Sequence, residues 1–162
     1  MRIKNLVVIA SLNLCSLAGL AQQFTKADTL RGSITPQRAW WDVMRYDIAI
    51  QPNYKTKSTS GYNQITYKVV QEEHPDVMQI DLQEPLVIDR ILFDGSTELT
   101  FSREGNVYWV NTTPQQLNSE HSVKVFFSGN PHVAVRPPWD GGWSFSEDKK
   151  GRPLMTVTCQ GL

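Results

Sequence analysis

The run GYNQITYKVVQ, residues 61–71, alternates in character with period two: Ile65, Tyr67 and Val69 fall on one face, Thr66, Lys68 and Val70 on the other. Side chains two apart share a face of an extended strand, whereas a helix repeats every 3.6 residues. The run therefore reads as a β-strand with one buried side. Upstream, Tyr46, Ile48 and Ile50 alternate with Asp47 and Ala49, which predicts a second strand with one buried face, and the polar stretch PNYKTKSTS joins the two. Downstream, His74-Pro75-Asp76 breaks the chain, and Met78, Ile80 and Leu82 then share a face. Residues 86–93 give another strand, with Asp94-Gly95 as a turn into 98–103 and Gly105-Asn106 as a turn into 107–110. Residues 121–127 carry Val123, Val125 and Phe127 in register before Gly129-Asn130-Pro131. Only 115–120 looks like a helix start. The expectation is an all-β, mostly antiparallel sandwich.

The last stretch, PPWDGGWSFSEDKKGRPLMTVTCQGL (137–162), follows the same logic. Asp140-Gly141-Gly142 supplies a tight reversal, and Trp143–Ser146 alternates large with small, as a half-buried strand does. The charged segment 147–152 turns the chain again, and a β-rich run from Leu154 reaches Cys159-Gln160-Gly161-Leu162 without a cap or polar tail. This reads as the front part of a longer protein, with a β domain incomplete at its C-terminal end.

At 162 residues and 40% apolar content, the chain has room for one domain with a real core. Charge is balanced, 16 basic against 16 acidic residues, so there is no cationic excess to hold a phosphate backbone and nucleic acid is not an expected partner. The N-terminus reads as an address. Arg2 and Lys4 precede the mostly apolar residues 6–20, and Gly19-Leu20-Ala21 sets small residues for signal-peptidase cleavage before Gln22. Residues 1–21 are thus expected to be a signal peptide, and the product exported, whether periplasmic, cell-surface or secreted. The membrane is a partner only through an uncleaved signal. Residues 22–39 are polar and read as a flexible leader, and 40–162 as the β domain. Cys15 leaves with the signal, so Cys159 has no disulfide partner within this stretch and packs as a small hydrophobe or pairs with a later cysteine.

Motifs for chemistry are sparse. His74, His121 and His132 show no i,i+4 pairing and no cysteine at ligand spacing, which favours solvated loop histidines over a zinc site. There is no G-x-S-x-G elbow and no phosphate loop. Asp81, Glu84, Asp89 and Asp94 fall near strands and read as solvated sheet positions rather than an acid–base pair. Trp40, Trp41, Trp139 and Trp143 could form an exposed platform, although in a sandwich such residues mostly fill the core.

The order of these pieces carries a resemblance: Tyr46–Ile50 followed by a proline, a strand opening at Gly61, Met78–Leu82, the unit LVIDRILFDG, and the late strand VKVFFSGNP. It resembles the N-terminal domain of the aminopeptidase N-type (gluzincin) zinc metallopeptidases, the family that includes leukotriene-A hydrolase. The resemblance implies a saddle-like β-sandwich ahead of a zinc-bearing catalytic domain. Thr158-Cys159-Gln160-Gly161 is similar to the family's Gln-x-Gln or Gln-x-Glu element, with Gln160 at the second position, which implies that Gln160 helps bind the substrate's free amino end. An amide oxygen suits that task, since it accepts a hydrogen bond from an ammonium. Thr158 and Gly161 depart from the usual glutamine and alanine.

The family's H-E-x-x-H and Gly-x-Met-Glu-Asn elements do not occur in this sequence. The resemblance therefore implies a non-catalytic wall of a substrate cleft, inactive alone, with no cofactor of its own and zinc in a downstream domain. The partners implied are that domain and a peptide N-terminus. A second reading is a stand-alone exported β-sandwich that binds carbohydrate or peptide through surface tryptophans.

Overall fold

The computed structural model describes residues 25–158. Its contacts fall into two units, Met1–Ser33 and Ile34–Leu162. Within the first, helix α1 (Lys26–Gly32) starts at Thr25, whose hydroxyl accepts the Asp28 amide while the Asp28 carboxylate accepts the Thr25 amide. This reciprocal box satisfies two donors that a helix start would otherwise leave open. Where the sequence suggests a plain leader, the second unit also opens on a short helix, α2 (Pro36–Ala39), with proline in its first turn.

Among the described residues ten strands follow: β1 (Trp41–Asn53), β2 (Ser58–Val69), β3 (Val77–Asp81), β4 (Val87–Phe93), β5 (Thr97–Leu99), β6 (Phe101–Glu104), β7 (Val107–Asn111), β8 (Glu120–Gly129), β9 (Gly142–Glu147) and β10 (Pro153–Thr158). They form a five-stranded sheet in the order β1-β2-β8-β4-β5, a three-stranded sheet β3-β7-β6, and a two-stranded ribbon β10-β9. Every strand pairing is antiparallel, so the fold is all-β as the alternation requires. The segment 98–103 is two strands rather than one, because Thr100 separates β5 of the large sheet from β6 of the small one. No helix forms at 115–120.

The core lies between these two sheets. Ile65, Tyr67 and Val69 of β2, Ile88 and Ile91 of β4, and Val123 and Val125 of β8 pack with Met78, Ile80, Tyr108 and Val110 of the small sheet. Two apolar spacings in these strands are odd, Val43 to Tyr46 and Ile88 to Ile91, and would put one member of each pair outside. In both places the register slips by one, at Met44 and at Asp89, so a β-bulge returns the apolar side chains to the same side.

One expectation fails. Tyr46, Ile48 and Ile50 lie on the core-facing side of β1, opposite Ile65, Asn63 and Gly61, yet they are 53%, 61% and 51% exposed. β1 is the edge of its sheet, and nothing among the described residues covers its far half.

Behind β3, α2 closes the other side of the small sheet. Thr35 donates to the buried Gln79 amide oxygen at 2.7 Å, Gln79 donates to Asp81, and Arg38 pairs with Asp81. At the centre, the Tyr67 hydroxyl donates to Gln115 Oε1 at 2.9 Å. Burial pushes the Tyr67 phenol above its usual range, and the Gln115 bond offsets this only in part. The sign follows directly. The unfolded chain releases the Tyr67 proton near pH 10 while the folded chain retains it, so the unfolded state binds fewer protons and stability falls as pH rises above about 10. Denaturant titrations between pH 9 and pH 11, by order of magnitude the window set by the unfolded phenol, should show that slope in the native chain. A Tyr67→Phe variant should show a shallower slope, and an unchanged one would assign the effect elsewhere.

Candidate functional site

Gln160, the residue singled out for substrate binding, and Cys159 lie outside the described residues; the structure reaches the element that leads to them. β9 and β10 pair from Gly142 opposite Thr158 to Glu147 opposite Pro153. Trp143 and Phe145 share a face with Val157 and Met155, and the two rings stack with centroids 6.5 Å apart. Val133 bridges to Trp143 in parallel, tied by Trp143 N–H to His132 O at 2.8 Å and Ala134 N–H to Trp143 O at 2.9 Å. Gly142 has φ +131°, and an added Cβ would sit 2.8 Å from Ala134 N, so glycine is required for this close approach.

A carboxylate fixes the reversal at each end of the ribbon. Asp140 accepts the amides of Val135 at 2.6 Å and Arg136 at 2.7 Å. Asp148 accepts the amides of Lys150 and Arg152 and the Arg152 guanidinium. The hydrogen bonds from Arg136 and from Arg152, respectively, hold these two carboxyls below the usual carboxylate range. The Asp140 clamp leaves Trp139 83% exposed at the tip of its loop.

The tryptophans therefore part company. Trp40 is fully buried in the core and Trp41 packs against it, Trp143 is half-buried, and Trp139 alone of the four stands in solvent. A platform built from all four does not form.

Of the three histidines only His132 is the exposed loop residue expected; His74 and His121 are half-buried and partnered. His74 stacks on Trp40 at 4.2 Å, its two ring nitrogens near the carbonyl oxygens of Pro75 and Gln115. His121 has Nδ1 2.8 Å from Asp94 Oδ2 and Nε2 3.0 Å from Ser119 Oγ. The hydroxyl–imidazole–carboxylate order invites a nucleophile reading, but Ser119 donates its proton to Gln116 O at 2.6 Å. Asp94 also accepts the Ser122 amide, so the array clamps the start of β8 to the β4–β5 turn. The sequence places Asp94 and His121 far apart, and only the antiparallel pairing of β4 with β8 brings them together.

Among the described residues no group of three or more His, Cys, Asp or Glu side chains could hold a metal ion, so no chemistry through zinc is assigned to them. No described helix is long and apolar enough to cross a membrane. An open groove of about 630 Å³ runs between the inner face of β1 and β3, with Trp41, Val43, Tyr46, Ile48 and Ile80 in its walls and Asn63 Oδ1 left without a partner.

No family model and no curated protein sequence matches the chain. Solved structures do. An M1 zinc metallopeptidase from Deinococcus radiodurans matches with a TM-score of 0.51 and 18% identity, over 68% of this chain and 27% of that one. Leukotriene A4 hydrolase from Saccharomyces cerevisiae matches with a TM-score of 0.55 and 15% identity, over 72% of this chain and 19% of that one. The fold is one that M1 zinc metallopeptidases carry. At these identities the likeness is one of fold. The chain spans about a quarter or less of the length of these two structures.

Proposed function

We propose that this chain is the non-catalytic N-terminal domain of an exported zinc-dependent aminopeptidase, forming one wall of the substrate cleft. The observation that carries the reading is the fold match, which covers about two thirds of this chain but roughly a quarter or less of each metallopeptidase. A part-length likeness of this kind fits a domain that works beside another. Zinc belongs, in this reading, to a following catalytic domain of the same polypeptide. Export rests on the signal-like residues 1–21, and the role of Gln160 on the resemblance of Thr158–Gly161 to the family's Gln-x-Gln or Gln-x-Glu element.

The exposed apolar side chains supply the physical motive for a partner domain. Leu154 and Val157 on β10 are about half exposed, as are Tyr46, Ile48 and Ile50 on β1. Exposed apolar patches on a soluble domain mark contact surfaces. In the complete enzyme the ribbon β9–β10 would hold Gln160 at the cleft, where its amide oxygen accepts a hydrogen bond from the substrate ammonium.

The test is turnover of aminoacyl-arylamides by the product of the complete coding sequence, with and without a chelator. Chelator-sensitive release is expected. A Gln160→Ala variant should lose roughly 10- to 100-fold in kcat/KM, the range for a hydrogen bond to a charged group. A folded full-length product that binds no zinc and turns over no substrate would end the enzyme reading. Full activity in Gln160→Ala would remove only the role of that residue.

A further inference from the structure

The turn between β1 and β2 borders a cleft of about 760 Å³ on the side of the large sheet away from the core, a volume in the range of small-ligand sites. Gln51, Tyr54, Lys55, Ser58, Ser60 and Ser128 contribute to its walls. Ser58 shares a hydrogen bond with Thr56, and Ser128 donates to Asp89. The Gln51 amide, the Tyr54 hydroxyl, the Lys55 ammonium and the Ser60 hydroxyl have no hydrogen-bonding partner among the described residues. Four uncommitted polar groups of three kinds thus surround one concavity.

The turn is held in place from two sides. Asn53 Oδ1 accepts the amides of Lys55 and Thr56, both at 3.1 Å. Asn130, beyond the end of β8, donates its amide to the carbonyl oxygens of Thr56 at 2.9 Å and Lys57 at 3.1 Å. Lys57 takes φ +53°, a left-handed conformation that a lysine adopts only when its surroundings impose it. Pre-ordering of this kind lowers the entropy lost when a ligand binds.

An aromatic pair lies next to the cleft along the sheet. Ser60 lies opposite Ser128, and the next pair on the same face is Tyr62 opposite Phe126, with ring centroids 5.9 Å apart. Lys124 stands 3.7 Å from the Tyr62 centroid and Arg90 4.5 Å from that of Phe126. An aromatic pair flanked by cations thus neighbours a cleft lined with hydroxyls and amides.

We propose that this cleft binds an acidic saccharide. Hydroxyl and amide groups match the hydroxyls of a sugar as donors and acceptors together, and the half-exposed Tyr54 ring offers a surface for its C–H face. Lys55 is the one charged side chain in the lining, and it is positive, so a uronic-acid carboxylate is the charge the site favours. The site is remote in sequence from Gln160 and owes nothing to the metallopeptidase reading.

The test is a titration of the isotope-labelled chain, followed by amide chemical shifts, with a uronic-acid oligomer and separately with a neutral glucan of equal length. Shifts should concentrate at residues 51–60 and 128–130, with the acidic oligomer bound about fivefold or more tightly than the neutral one. Tyr54→Ala should weaken both by about tenfold, and Lys55→Ala should abolish the preference for the acidic oligomer. Both residues sit in an exposed turn, and thermal melts should confirm that the variants stay folded. Glu98→Ala, at the far edge of the same sheet, should change nothing. No saturable shift with either oligomer up to about 10 mM would overturn the proposal, as would shifts centred elsewhere. Equal binding of the two oligomers would overturn the acidic assignment.

Discussion

Replacing Gly61 by alanine is expected to cost about 3–5 kcal/mol and to lower the denaturant midpoint by a large part of its range. Gly61 lies opposite Ile50 in the β1–β2 pair, and a Cβ there would stand 2.0 Å from the Ala49 carbonyl oxygen. It would also stand 3.0 Å from the Ala49 carbonyl carbon and 3.1 Å from Ile50 Cα. All three are backbone atoms, so no rotamer change relieves the clash and the two strands must move apart. Those strands share the longest ladder among the described residues, from Trp41 opposite Val69 to Asn53 opposite Ser58. Gly32→Ala is the control, since nothing lies within 4 Å of its added methyl. A Gly61→Ala midpoint matching that of the control would show that β1 does not approach β2 as described.

Trp40→Ala should be comparably severe, about 3–5 kcal/mol, the range for emptying a buried tryptophan site. Trp40 is fully buried, stacked on His74 and edge-on to Tyr67 with centroids 6.0 Å apart. Its indole N–H donates to Val77 O at 3.2 Å, which ties the start of β1 to β3. Truncation would therefore open a cavity and orphan a carbonyl at once. Trp40→Phe keeps a ring against His74 but not the donor, and should fall between the two. Trp139→Ala, at an exposed loop tip, should change stability by less than about 0.5 kcal/mol. Near-UV circular dichroism and denaturation curves give the ranking, and equal effects at Trp40 and Trp139 would contradict the burial described.

Alternation made the strands legible, since Ile65, Tyr67 and Val69 are buried together and Val123 and Val125 face them. It did not reveal where one layer ends. Tyr46, Ile48 and Ile50 have the same pattern as buried residues, but coverage by a second sheet is a tertiary property that no local period reports. The bulges at Met44 and Asp89 had a visible trace in the three-residue apolar spacings, which simple alternation passes over. Thr100 had none, because 98–103 reads as one strand whether or not the chain changes sheet. Two of the three histidines were misjudged for a related reason: His74 and His121 sit in loop-like or strand-start sequence, and their partners Trp40 and Asp94 come from distant positions. Gln160 was reached through resemblance alone.

The position of β8 has a consequence for timing. It lies between β2 and β4, so the large sheet has no continuous middle until Gly129 has been made. The β1–β2 hairpin and the β6–β7 pair can form early, as each joins neighbours in sequence. The apolar face of the β1–β2 hairpin, complete at Val69, must then wait until Glu120 for the start of the strand that joins it to the rest of the large sheet. Folding is thus bound to come late in synthesis, and a nascent chain stopped before residue 120 would carry the β1–β2, β4–β5 and β6–β7 hairpins without the strand that joins β2 to β4.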